Sequence, residues 1–232
     1  MRTFTKVSLM GLLAGIAGPS ALAHDGDVGI RISGGRLETV LAAGEPPTQV
    51  FGTEIERVFA AEWEFNALTS DVRIDEPGLA SEAVALDQQS LGFNFRKALR
   101  RWNGSDFVAT AFTASVGGSD LGLPFITTPA SDVLVAGHTI TVPQIPLDFH
   151  FDWRLDGATA GSGMGIYLVE LELTNPGGSL GTSDALWAVY NYGESEEDHE
   201  AAIEFAVENY VPTPGGAAVL GLMGLAAVRR RR

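Results

Sequence analysis

Leu147-Asp148-Phe149-His150-Phe151-Asp152-Trp153-Arg154-Leu155 alternates without a break, every odd position apolar and every even one charged or histidine. Side chains of an extended chain point to opposite faces in turn, so this period of two predicts a strand with one face in a core and one in water. Tyr167, Val169, Leu171 and Leu173 alternate with Leu168, Glu170 and Glu172 in much the same way. Working outward, residues 28–32, 37–42, 50–55, 58–65, 91–95, 107–116, 139–145 and 186–190 form further strand-like runs. Gly34-Gly35, Glu76-Pro77-Gly78, Asn103-Gly104, Asp156-Gly157 and Asn175-Pro176-Gly177-Gly178 fall between such runs as turn signals. Asn103-Gly104 in particular predicts a hairpin. The pattern gives a mainly all-β fold, an antiparallel β-sandwich of about ten strands with a jelly-roll-like variant among its forms.

One helix is expected, near the C-terminal end. Ser195 before Glu196-Glu197-Asp198 supplies an N-cap and acids suited to the positive end of a helix dipole. His199, Ala202, Ile203, Ala206, Val207 and Tyr210 then fall on one face, which predicts a helix packed on the sandwich. Residues 79–89 fit either a loop or a short helix.

The sequence divides into residues 1–23, an ectodomain over 24–210 and a tail over 211–232. Of 15 Lys and Arg, six (Arg2, Lys6 and Arg229 to Arg232) lie in the end segments, where there is no acid. The ectodomain is therefore far more acidic than the overall charge of −14 suggests. That sign disfavours nucleic acid and anionic lipid as partners. There is no cysteine, so packing and sheet hydrogen bonds must hold the domain together.

Both ends carry processing signals. Arg2 and Lys6 precede an apolar stretch over residues 7–17, Pro19 breaks it, and Ala21-Leu22-Ala23 is an A-x-A site. This is the layout of a secretory signal peptide cut by signal peptidase after Ala23, leaving His24 as the new N-terminus. At the other end Val211-Pro212-Thr213-Pro214 leads into an apolar segment over 215–228 and then Arg229-Arg230-Arg231-Arg232. As a helix those apolar residues would rise about 21 Å, short of a roughly 30 Å hydrocarbon core. The arginines would keep the terminus cytoplasmic, and the two prolines make a stiff stretch open to a protease.

This order of parts resembles the PEP-CTERM sorting signal, in which a Val-Pro-Glu-Pro-like motif precedes a membrane segment and an arginine cluster. Thr213 stands where that motif has glutamate. The resemblance covers residues 211–232 only and leaves the ectodomain unassigned. It implies recognition by an exosortase of a Gram-negative-type bacterium. The chain would be held briefly in the inner membrane and then sorted to the cell surface or outside, with exopolysaccharide or other matrix components as candidate partners.

Chemistry in the ectodomain is sparsely marked, and no G-x-S-x-G, P-loop, H-E-x-x-H or EF-hand pattern occurs. An N-terminal His24 would offer an amine and an imidazole to one metal. Asp25 and Asp27 follow it, His150 and Asp152 share a strand face, and His199 offers another nitrogen. Such N/O sets suit Cu or Zn, and the acidic surface suits weakly bound Ca. Against this, chain termini are commonly unstructured, His150 reads equally as a surface residue and His199 as a core histidine. Trp63, Trp102, Trp153 and Trp187 suggest a sugar-facing row, although Trp153 and Trp187 sit in core phase. Three functions are thus expected in order: a structural or binding surface protein, a metal-binding protein or copper enzyme, and a carbohydrate-binding or carbohydrate-active protein. An enzyme is the weaker expectation.

Overall fold

The computed structural model describes residues 26–44, 46, 48–118 and 122–212. The signal segment with Ala21 and Ala23, His24, and the tail from Thr213 through Pro214 to Arg229–Arg232 lie outside these residues. Among those described, no helix is long and apolar enough to cross a membrane.

The described chain is mainly β. Its first strands are β1 (Asp27–Ser33), β2 (Arg36–Ala43), β3 (Val50–Phe51), β4 (Val58–Glu62), β5 (Glu64–Asn66) and β6 (Asp71–Ile74). There follow β7 (Leu79–Ser81), β8 (Ser90–Phe95), β9 (Arg100–Trp102), β10 (Phe107–Ala109), β11 (Thr113–Gly118) and β12 (Leu123–Thr127). The last are β13 (Val135–Thr141), β14 (Leu147–Phe149), β15 (Asp152–Asp156), β16 (Gly165–Thr174) and β17 (Leu186–Tyr192), before helix α1 (Glu196–Tyr210). Residues 79–89 hold both β7 and a 3-10 turn at Val84–Leu86.

Three sheets form. One has the order β14-β7-β1-β2-β3 and another β12-β11-β15-β6-β5. The largest runs β10-β9-β16-β17-β4, with β8 also on β16 and β13 on β8. Gly34 and Gly35, at φ of 55° and 78°, make the two-residue turn that joins β1 to β2, because both central positions of such a turn need positive φ. Asn103-Gly104 closes the β9–β10 hairpin as its sequence predicts, with Phe107 opposite Trp102.

Two sequence expectations need correction. Pairing is not antiparallel throughout, since β1 runs parallel to β7 and β17 parallel to β4. The alternating stretch 147–155 is two strands in different sheets, β14 on β7 and β15 between β11 and β6. The chain crosses between sheets at His150-Phe151 without losing phase, because one apolar cluster, with Phe151 and Trp153 in it, draws residues from all three sheets. Likewise 58–65 breaks at Trp63, which separates β4 from β5, and 107–116 breaks between β10 and β11.

The central strands are buried on both faces. In β16, Tyr167, Val169, Leu171 and Leu173 enter the main core, whereas Ile166 and Leu168 enter a second cluster with Ala202, Ile203 and Ala206 of α1. β17 divides the same way, with Trp187 and Val189 toward the helix and Ala188 and Tyr190 inward. The helix begins as expected, with Ser195 accepting from Asp198 N. Further along β16, Glu170 is buried rather than solvated, and Arg96 (2.9 Å) and Lys97 (2.8 Å) neutralise it.

Candidate functional site

Strand register sets three residues side by side at one end of a sheet. Val28 pairs with Leu79, and Leu79 with Phe149, so Asp27, Gly78 and His150 occupy the next row out. Asp27 is 5% exposed, and its Oδ1 accepts from Gly78 N at 2.7 Å. Gly78 is required by space: a Cβ there would stand 2.6 Å from Asp27 Oδ1 and 3.0 Å from Phe149 O. Glu76, two residues before it, accepts from the same N–H at 3.3 Å through Oε2.

His150 closes the group. Its Nδ1 lies 3.2 Å from the Asp75 carbonyl, and its Nε2 lies 3.0 Å from Asp148 Oδ1 and 3.8 Å from Asp27 Oδ2. Glu76 Oε1 lies 3.7 Å from Nδ1. One potential ligand atom each from Asp27, Glu76 and His150 falls within 4.8 Å of the others.

Asp27 and Glu76 line a cleft of about 560 Å³ together with Glu62, Glu64, Glu196 and His199. On its other side Glu62, Glu196 and His199 form a second such group. His199 is 2% exposed and its Nε2 sits 3.2 Å from the Val189 carbonyl, so as a core histidine it donates there. Both groups contribute to the cleft lining, Asp27 and Glu76 from the first and Glu62, Glu196 and His199 from the second.

The electrostatics of the first group are strained by burial. Glu76 is pushed up to about 7, first because burial disfavours its charge and then because Asp27 lies against it. Burial works against a charged His150, yet Asp27, Glu76 and Asp148 outweigh it and leave its pKa raised. Both groups hold protons more tightly in the native state than in the unfolded chain. For Glu76 the ordinary value is 4.5, so stability falls as pH rises from there to about 7. For His150 stability is present below its ordinary 6.5 and is lost as pH rises through the higher native value. In chelator, the melting temperature should therefore fall as pH rises from about 4.5 to about 7, and Glu76→Gln should flatten that fall. A melting temperature that rises across the window would contradict this arrangement.

The sequence-predicted residues are thus partly regrouped. His150 lies beside Asp27 rather than with Asp152, because the sheet crossing puts Asp152 on β15, where it lines a neighbouring groove with Asp75 and Arg73. His199 belongs to the opposite group. Val211 caps α1 and packs partly against the second cluster, while Pro212 is exposed. Glu76 escaped sequence reasoning; its mark was the Glu-Pro-Gly turn before β7, and nothing local shows that β7 pairs with β1. Trp63, Trp153 and Trp187 are buried, which removes them from a sugar-facing row; Trp102 is half-buried against Phe107 and Phe205. The Asp27–Glu76 pair is also closer than the roughly 5–5.5 Å that retaining glycosidases use. No protein-family model matches the chain, and no curated protein matches it either.

Proposed function

We propose that the chain is an exported bacterial surface or extracellular-matrix protein, sorted by an exosortase, whose β-rich ectodomain has a structural or binding role. The sheets are read as the layers of a β-sandwich with jelly-roll-like features, delivered across the inner membrane by the signal peptide and held there briefly by the tail. The observation that carries the proposal is the uninterrupted order Val211-Pro212-Thr213-Pro214, apolar 215–228, Arg229–Arg232. The helix supports it. α1 ends at Tyr210 with Val211 as its extended cap, since a residue before proline disfavours helical backbone, and Pro212 is exposed where a protease would need it. An acidic ectodomain suits solubility outside the cell and contact with matrix polymers through cations.

Substituting Pro212 and Pro214 by alanine in the producing bacterium should hold the protein in the inner-membrane fraction with its tail attached. Unchanged release of that variant to the surface or medium would overturn sorting by this motif.

A further inference from the structure

The Asp75 backbone carbonyl can only accept, so the hydrogen on Nδ1 of His150 points to it, at 3.2 Å. In the neutral ring the lone pair then sits on Nε2, aimed at Asp148 Oδ1 (3.0 Å) and Asp27 Oδ2 (3.8 Å). A lone pair facing two carboxylate oxygens in this way is repelled by them unless a proton or a cation lies between. A histidine whose second nitrogen is pinned by a backbone carbonyl is also the arrangement that orients metal-ligating imidazoles.

We propose that His150, Asp27 and Glu76, one ligand atom of each within 4.8 Å of the others, bind a divalent first-row cation of the zinc class, with Asp148 beside the ring. The spacing fits. Nε2 stands 3.8 Å from Asp27 Oδ2 and all three ligand atoms lie within 4.8 Å, a little wider than the roughly 3.3–3.4 Å edges of a tetrahedron with bonds of about 2.0–2.1 Å, which a bound cation would draw in. Charge fits as well. Among the described ion pairs, Asp27, Asp148 and Glu76 have no partner but His150, so three carboxylates face one imidazole. Gln49 adds a buried acceptor nearby: its Nε2 lies 3.4 Å from Asp27 Oδ2, and its Oε1 has no hydrogen-bond partner. One nitrogen among oxygens favours zinc over calcium, which prefers an all-oxygen shell.

This inference is independent of the sorting tail and survives or fails without it. The test is zinc chloride titrated by calorimetry into the chelator-stripped protein as purified from its bacterium, near pH 7.5, with calcium chloride as the comparison. One zinc per chain is expected, bound at least tenfold more tightly than calcium. His150→Gln should weaken zinc at least tenfold with the near-UV circular dichroism unchanged, since His150 is half-exposed and its loss leaves the core intact. Cobalt(II) should give a visible d–d absorption that the same variant loses. Glu196→Gln, in the opposite group, should leave zinc affinity unchanged. Zinc binding indifferent to His150→Gln, lost only in Glu196→Gln, or absent from the folded protein would each overturn the proposal.

Discussion

Trp63→Ala should lower the unfolding free energy by about 3–5 kcal/mol, the range for truncating a large buried aromatic. Trp63 is 3% exposed and stacks on Tyr190 with ring centroids 4.3 Å apart and planes within 7°. Tyr167 closes the same side at 5.8 Å. The residue is also a joint. Its backbone N–H donates to Asn191 O at 2.8 Å where the chain leaves the largest sheet at β4 for another at β5. Removing the ring therefore opens a cavity between layers rather than at the rim of one. For a domain of this size each kcal/mol lowers the melting temperature by roughly 2–4 °C, so a drop of about 6–20 °C is expected by calorimetry. Trp63→Phe should cost less, because it keeps the stack and removes an indole N–H that is buried without a partner. Equal loss in both variants would contradict this account, because phenylalanine keeps both a stacked ring and most of the volume that alanine removes.

Ala206→Arg should separate α1 from the sheet, costing about 3 kcal/mol or more. Ala206 and Ala202 are fully buried and Ile203 nearly so, against Trp187, Val189, Val58 and Ile166. A guanidinium there overfills a packed seam and carries a charge into apolar surroundings. The lost contacts are confined to the outer cluster, whereas the main core on the opposite face of β16 and β17 is untouched. Limited proteolysis should accordingly cut within residues 196–212 before the rest of the domain. Trp187, which stacks on Tyr210 at 5.7 Å, should report the change by fluorescence. Wild-type resistance to protease in this variant would contradict a helix held by that seam.

How much of this was legible in sequence depends on the range of the interaction. The helix could be read almost residue by residue, because an N-cap, first-turn acids and a stripe at His199, Ala202, Ile203 and Ala206 are local signals. The Asn103-Gly104 hairpin was equally local. Alternation identified which residues face the core at 147–155, yet it could not show the change of sheet at His150, since both strands keep the same phase toward one cluster. Burial of Glu170 was illegible for a related reason: its neutralising partners, Arg96 and Lys97, reach it from the turn after β8. The candidate site is the extreme case. Asp27, Gly78 and His150 are far apart in sequence and meet only through the parallel β1–β7 pairing, for which no short motif exists.

Intact mass with terminal-peptide mapping, on native protein recovered from the surface or medium of the producing bacterium, tests export and sorting most directly. The expected result is a chain that begins at His24 and ends within or just before Val211–Pro214, with the apolar segment and all four arginines gone. A mature chain that keeps Arg229–Arg232 would contradict exosortase sorting and leave a plain membrane tail in its place.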